Sequence, residues 1–375
     1  MPGTLLGVSG WPASTVELVF GPWNYWWQAH LLDCLVDAYV RSPDQKKLSL
    51  IERQLNGIRI RAFRSWLNDY YDDMAWLALA VQRAEKYAGV RRPAALPALT
   101  EDIRSGWTDL SGGGVWWRKP ERFHDDFKNV PTNGPAAIMF ARQPEPAGTY
   151  QWPVKSGPNR ERARDSVNWI ERHLIDRATG LVYDGLHVNE DGSISGIEAT
   201  IYTYCQGVFL GACVELALRD KADDADSAQW KVWAGRAVRT VEAVAAHVTD
   251  LDDAAGPALR GQGGGDGGLF AGILARYLGL AAKQLPTLGP AYQKTANLAA
   301  DLVFSSAEAA WRNRTETSHG PLFGPDWTTP AAHPGRASSQ AQADLAERDL
   351  SVQLSGWMLM EIAADLHLGG IGPSA

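Results

Sequence analysis

Apolar residues return at helical spacing through nearly the whole of this chain, and that periodicity narrows the fold more than any other feature. Leu31, Leu32, Leu35, Val36 and Tyr39 set the pattern over residues 26–40. It recurs over 48–67, 73–88, 133–142, 160–175, 198–219, 228–248, 267–283, 290–312 and 344–367, and these stretches predict helices. Strand signals are sparse. Gly180-Leu181-Val182-Tyr183-Asp184-Gly185, followed by a turn at Asp191-Gly192, predicts a small β-hairpin on a helical body. No Ser/Gly/Pro linker long enough to separate folding units interrupts the series, which argues for one all-α domain over residues 1–375. Helical hairpins of roughly 55–65 residues divide this length into six pairs, the number that closes an (α/α)6 toroid, although no clean sequence repeat marks them.

Composition then removes several classes of function. A hydrophobic fraction of 45% and a formal net charge of −7 describe a globular chain without the basic footprint of a nucleic-acid or anionic-membrane binder, so a neutral substrate fits best. No apolar run reaches the length of a membrane span. The start, Met1-Pro2-Gly3-Thr4-Leu5-Leu6-Gly7-Val8, has no basic n-region and only a broken apolar run before Trp11-Pro12, a poor export signal. The sequence therefore places the chain in the cytoplasm, or in the envelope or outside the cell if it leaves by a non-classical route. Cys34, Cys205 and Cys213 cannot all pair and lie in apolar helical contexts, as buried reduced thiols do. The eight histidines are scattered without metal-ligand spacing. The glycine-rich run Gly261 to Gly268 lacks the Lys-Ser/Thr of a phosphate-binding loop and follows no strand, so it reads as a flexible loop entering a helix at Leu269. Pro330 to Gln340 reads as a surface loop.

Chemistry is concentrated in Asp72-Asp73, within Tyr70-Tyr71-Asp72-Asp73-Met74-Ala75-Trp76, where a loop becomes a helix. One reading is structural: Asp caps helix N-termini, and a second acid there gains from the helix dipole. The other is a sugar-cleaving site. Aromatic rings offer flat apolar faces to a pyranose, and paired acids supply nucleophile and proton donor. Retaining glycosidases hold these carboxyls about 5–5.5 Å apart, a spacing that neighbouring side chains can meet. Two carboxylates so close cannot both ionise easily, so one pKa rises and the pair titrates as a unit. Other residues carry two readings each. Trp116 and Trp117 follow three glycines and are either cleft rings or core. Gln206 and Asn129 suit sugar hydroxyls, or caps and buried networks. Lys128 is a contact or a solvated charge, and Asp184 and Asp266 are contacts or turn residues.

Seven segments taken in order resemble glycoside hydrolase family 76, the endo-α-1,6-mannanases. They are Tyr25-Trp26-Trp27-Gln28, Tyr71-Asp72-Asp73-Met74-Ala75-Trp76, Gly113-Gly114-Val115-Trp116-Trp117, Phe127-Lys128-Asn129 with Asn133, Gly180 to Gly185, Tyr204-Cys205-Gln206-Gly207, and Asp266 with Leu269 to Ile273 and Arg276-Tyr277-Leu278. The resemblance runs nearly the whole chain and departs from the family at Cys205, usually Asn, and at Ala271, usually Lys. It implies a helical toroid and a retaining endo-α-1,6-mannosidase acting on the backbone of a microbial mannan or lipoglycan. It implies Asp72 as nucleophile and Asp73 as general acid/base. It further implies that Tyr71, Trp76, Trp116, Trp117, Lys128, Asn129, Asn133, Asp184, Tyr204, Gln206 and Asp266 contact an α-mannan oligo- or polysaccharide. A monomer is expected. Transglycosylation through the same glycosyl-enzyme is the alternative, as is a sugar 2-epimerase on the same fold, for which His30, His124, His187 and His319 are the available bases. A catalytically silent mannan-binding relative is a third reading, against which the intact acids speak.

The missing ligand spacing and dinucleotide fingerprint predict activity without metal or cofactor. Dialysis against a chelator is expected to leave the release of reducing ends from α-1,6-mannan unchanged. Loss restored by a divalent ion overturns this expectation.

Overall fold

Two kinds of helix alternate along the chain, and what each must bury sets its place. The computed structural model describes residues 3–123, 126–145, 158–252, 254–336 and 345–373. In order, these form α1 (Thr15–Phe20), α2 (Tyr25–Arg41), α3 (Gln45–Arg61), α4 (Tyr71–Ala88), α5 (Ala95–Ser105), α6 (Pro120–Phe123), β1 (Phe127–Asn129), α7 (Val130–Arg142), α8 (Pro158–His173), β2 (Gly185–Val188), β3 (Ile194–Glu198), α9 (Thr203–Asp223), α10 (Gln229–His247), β4 (Thr249–Asp252), β5 (Gly256–Leu259), α11 (Phe270–Leu288), α12 (Gln293–Arg312), β6 (Thr315–Thr317), β7 (Gly320–Leu322) and α13 (Leu350–Leu368). The helices α2, α4, α7, α9, α11 and α13 are apolar nearly all round. In α7 every residue from Val130 to Ala141 is buried. A helix apolar on all sides has to be enclosed. These six pack in sequence, and α13 returns to α2 to close the ring. By contrast α3 buries a stripe of Ile51, Gln54, Leu55, Gly57 and Ile58 and turns its charges to water, and α5, α8, α10 and α12 likewise lean on the ring from outside. This is the (α/α)6 toroid. Among the described residues the connection from α12 to α13 carries the β6–β7 hairpin and no long outer helix. Residues 337–340 of the expected Pro330–Gln340 loop lie outside the described residues.

The structure corrects three local expectations. No strand forms over residues 180–184. Pairing begins at Gly185, and β1, β2 and β3 make an antiparallel three-stranded sheet with Lys128 opposite Leu186 and Leu186 opposite Ile197. Helix α5 was not anticipated, because Pro97 interrupts its pattern; the ring sits in the first turn, where no intrahelical N–H is needed. Helix α3 ends at Arg61 rather than residue 67, since Phe63 and Arg64 both take left-handed backbone, with φ of 54° and 65°.

A repeat does exist, at single-residue scale. The fourth residue of α2, α7, α9 and α13 is Gln28, Asn133, Gln206 and Gln353 respectively. Each carboxamide accepts from the N–H, and donates to the C=O, of one residue in a neighbouring segment. The distances are 2.7 and 3.0 Å for Gln28 with Gly7, and 2.8 and 2.9 Å for Asn133 with Val115. They are 2.8 and 2.8 Å for Gln206 with Val182, and 3.0 and 2.8 Å for Gln353 with Phe323. The amide of Gln206 thereby takes both backbone groups of Val182 on one edge, and on the other edge pairing is confined to a single antiparallel bridge between Val182 and Ile175.

Deeper in the ring lies a cluster of ions. Arg83 of α4 contacts both Asp33 and Asp37 of α2, and Arg276 of α11 reaches Asp33 at 3.2 Å and Asp37 at 2.6 Å. Side-chain exposure is 17% or less for all four, so the pairing is the only compensation for their lost hydration. Replacing Arg276 with Ala leaves Asp33 and Asp37 undercompensated and is expected to destabilise the fold by about 3–5 kcal/mol. A urea midpoint within error of the wild type overturns this.

Candidate active site

The six inner helices run parallel, and their first turns gather at one end of the ring. There α2, α4, α9 and α11, with the cap residue Asn129 of α7, border a cleft of about 1100 Å³. Asp72 and Asp73 of α4, Trp76 one turn below, Trp26 of α2, Tyr204 of α9 and Phe270 of α11 all line it.

The acids are not N-caps. Tyr70 holds that position, its own N–H donated to Asn68 Oδ1 at 3.0 Å, and the acids are the second and third residues of the helix. Asp72 Oδ1 does accept one free first-turn N–H, that of Asp73, at 2.8 Å. Its Oδ2 accepts from Trp117 Nε1 at 2.9 Å, and Asp73 Oδ2 from Asn68 Nδ2 at 2.6 Å. Burial drives both pKa values up. Asp72 rises to about 7, held down by the N–H groups of Asp73 and Trp117, whereas Asp73 goes well above the usual carboxylate range because burial is joined by the charge of Asp72. The pair titrates as a unit, and the two N–H donors on Asp72 favour the negative charge there.

Rings form two walls. On one side Trp117 meets Tyr70 with centroids 5.6 Å apart. On the other Tyr204 stacks on Phe270 at 3.8 Å, with Trp76 beyond it at 6.4 Å. Asp266 accepts from the indoles of Trp26 and Trp27 at 3.0 and 2.9 Å, so the glycine-rich run is tied to α2 rather than loose. Asp184 also lines the cleft. Burial lifts its pKa to about 6, opposed by the Cys205 thiol donating at 3.7 Å. Asn129 lines the cleft too, while its side chain caps α7 by accepting from Thr132 N.

Five expected sugar contacts do other work. Lys128 is wholly buried and donates to the carbonyls of Thr108, Leu110 and Gly113 at 3.2, 2.7 and 2.6 Å. Its ammonium lies 4.7 Å from the Trp116 ring centroid, and burial lowers its pKa to about 7. Trp116 is accordingly a platform under Lys128. Gly114, at φ +94, lets the loop pass this pair, since a Cβ there would sit 3.0 Å from Trp169 and 3.3 Å from Lys128. Asn133 and Gln206 spend their amides on Val115 and Val182, as described above. Tyr71 turns inward against Gly106, where a Cβ would stand 2.7 Å from its ring. These residues shape the site from behind: backbone bonds from Tyr71 N to Trp117 O and from Trp117 N to Phe127 O, both 2.9 Å, lock the start of α4 to the loop and to β1.

Several cleft residues were not among the sugar contacts expected from sequence: Asn68, Tyr70, Trp26, Tyr202 and Phe270. Among the four histidines, His30 is buried between Trp26 and Trp76, His187 pairs with Asp126, and His319 lies by Trp11; none lines the cleft, and His124 lies outside the described residues. Among the described residues no group of three His, Cys, Asp or Glu is placed to hold a metal ion, and no helix is long and apolar enough to cross a membrane.

A family model for glycosyl hydrolase family 76 matches residues 8–352. The fold is similar to the GH76A α-1,6-mannanase of Salegentibacter sp. HEL1_6, with 30% identity, a TM-score of 0.74, and coverage of 97% of this chain and 94% of that one. A variant of that mannanase with two adjacent aspartates replaced by asparagine, described as inactive and in complex with α-1,6-mannotriose, matches at 29% identity and TM-score 0.75 over the same shares. A protein of Listeria innocua matches at 26% identity and TM-score 0.73, covering 98% of this chain and 92% of that one. Among curated proteins none matches the chain.

The raised pKa values make the acid pair a pH-dependent element of stability. Both carboxyls hold their protons to higher pH folded than unfolded, so their contribution is fully present below the unfolded pKa and is lost as pH rises through the folded one, about 7 for Asp72. Asp73→Asn is expected to raise the calorimetric unfolding midpoint by a few degrees above about pH 8 and to leave it unchanged near pH 4. A midpoint that falls at alkaline pH counts against this account.

Proposed function

The chain belongs to glycosyl hydrolase family 76, and on that premise we propose that it is a retaining endo-α-1,6-mannanase whose nucleophile is Asp72 and whose general acid/base is Asp73. The observation that carries the assignment is the graded acid pair on the cleft floor. Asp72, with two N–H donors on its oxygens and a pKa near 7, is the member ready to attack the anomeric carbon. Asp73, its pKa driven up by burial and by the charge of Asp72, holds the proton that the departing glycosidic oxygen needs. In the first step a bond forms from the Asp72 carboxylate to the anomeric carbon as the leaving oxygen takes the Asp73 proton. In the second, Asp73 removes a proton from water, and that oxygen displaces Asp72. A sugar hydroxyl in place of water gives transglycosylation, so product analysis separates the two outcomes.

The mannan assignment draws on the Salegentibacter enzyme, whose inactive variant lacks two adjacent aspartates and holds α-1,6-mannotriose. We take Asp72 and Asp73 as the counterparts of that pair. Endo action draws on the walls: rings on separate elements along an open cleft suit a polymer running past the acids better than a blind pocket for one sugar.

Asp72→Asn and Asp73→Asn are each expected to lower kcat on linear α-1,6-mannan by about 10³-fold or more with the helical signal unchanged. A mannosyl fluoride, whose leaving group needs little protonation, should partly rescue Asp73→Asn and not Asp72→Asn. Early products should span several lengths. Mannose as the sole early product, with a rate independent of chain length, sinks the endo reading.

A further inference from the structure

One rim of the cleft is built unlike the rest of the surface. Where α3 ends, Arg59, Ile60, Arg61, Phe63 and Arg64 are all exposed, and Phe63 is the extreme case, with 93% of its surface in water. It is held out by left-handed backbone at both Phe63 and Arg64, a conformation that non-glycine residues avoid, and no packing of the Phe63 ring offsets that strain. Beside it, α1 leaves Leu18 59% exposed. The two segments are contiguous: Leu18 and Arg61 line a pocket of about 290 Å³ that runs into the cleft past Trp23 and Asn24.

The charges on this rim that have no ion-pair partner among the described residues are positive. Arg59 lies over the Trp66 ring and Arg61 over Trp23, so both are positioned by aromatic faces. Among the described residues neither they nor Arg64 has a carboxylate within ion-pair distance. The acids nearby are already engaged, Glu17 by Arg348 and the Ser14 cap, Asp69 by Arg122. A chain of net charge −7 thus carries a local basic patch studded with apolar tips, and the whole-chain charge, an average, concealed it.

We propose that this rim docks on an anionic lipid bilayer, with Phe63 and Leu18 entering the headgroup region and Arg59, Arg61 and Arg64 facing lipid phosphates. Isolated apolar tips on a convex edge suit a soft interface rather than a groove for a helix or strand, and arginines set among them match negative headgroups. The cleft opens at the same edge, so docking brings it within reach of glycan carried on the lipid surface. This inference goes beyond the mannanase assignment and does not depend on it, because the readout is binding.

Full-length protein is to be sedimented with vesicles of phosphatidylcholine alone and with vesicles in which about a third of the lipid is phosphatidylglycerol. Binding is expected to the second and not the first, and to weaken as salt screens the attraction. Arg64→Gln should lower partitioning roughly fivefold, and Phe63→Ser should abolish most of it. Leu18→Ser with Arg64→Gln should cut binding while hydrolysis of soluble mannan is unchanged. Both positions lie at the surface, and an unaltered unfolding midpoint confirms that the variants fold. Absence of binding to anionic vesicles overturns the proposal. So does binding that survives Phe63→Ser, or self-association of the protein in light scattering that is lost on the same substitution.

Discussion

Four buried ions hold the ring in phase. Asp33 and Asp37 stand one helical turn apart on α2, and Arg83 and Arg276 reach them from α4 and α11, so the contact crosses from one side of the toroid to a helix that is not its neighbour. A charge in that position tolerates little misalignment, because any arginine that loses its carboxylates is stranded away from water. The consequence travels up the helices. Trp26, His30, Asp33 and Asp37 share one face of α2, and Asp73, Trp76 and Arg83 share one face of α4, by the spacing of three and four residues that stacks side chains along a helix. Fixing the ions therefore fixes the rotation of the helices, and with it which side chains emerge in the cleft, roughly 10–16 Å further along.

Between the ions and the acids lies an uncharged layer. His30 is kept neutral by burial, with its pKa lowered to about 3, and it packs against Trp26 and Trp76. That layer separates Asp72 and Asp73 from Arg83 and Arg276, whose charges would otherwise favour ionised carboxylates. The acids are left with burial and one another as the main influences, opposed by a few N–H donors, which is how carboxyls come to hold protons near neutrality. The parallel first turns of the surrounding helices bias in the opposite direction, since their N-terminal dipoles favour negative charge, and the balance suits a pair in which one member is ionised and the other is not.

Helices and the acid pair were legible because each leaves a one-dimensional trace: apolar spacing for the ring, adjacency for Asp72 and Asp73. Direction was harder to read. Tyr70 and Tyr71 are neighbours of the same type, yet a step of one residue turns a side chain through about 100°, sending Tyr70 to the cleft and Tyr71 into the core. Polar groups near the site carried two readings for a related reason. Lys128, Asn133 and Gln206 have the donors and acceptors a sugar needs, but buried backbone carbonyls and N–H groups need them as well, and the sequence does not say which demand is nearer. Asn68 was passed over since its role depends on a turn that brings it back over the five residues to Asp73.

The carboxamides at the fourth position of four inner helices grip only the main chain of the residue they hold, and so the bonds do not depend on that residue's side chain. Gly7, Val115, Val182 and Phe323 have little in common as residues, yet each is secured in the same manner. The course of a rim segment is thereby uncoupled from its spelling. Val115 lies two residues from Trp117 and Val182 two from Asp184, so the walls of the cleft can accumulate substitutions, and new preferences for what they touch, while their path stays where it was. Such a framework accommodates sequence drift: a chain sharing 30% of its residues with a mannanase can keep a TM-score of 0.74 to it.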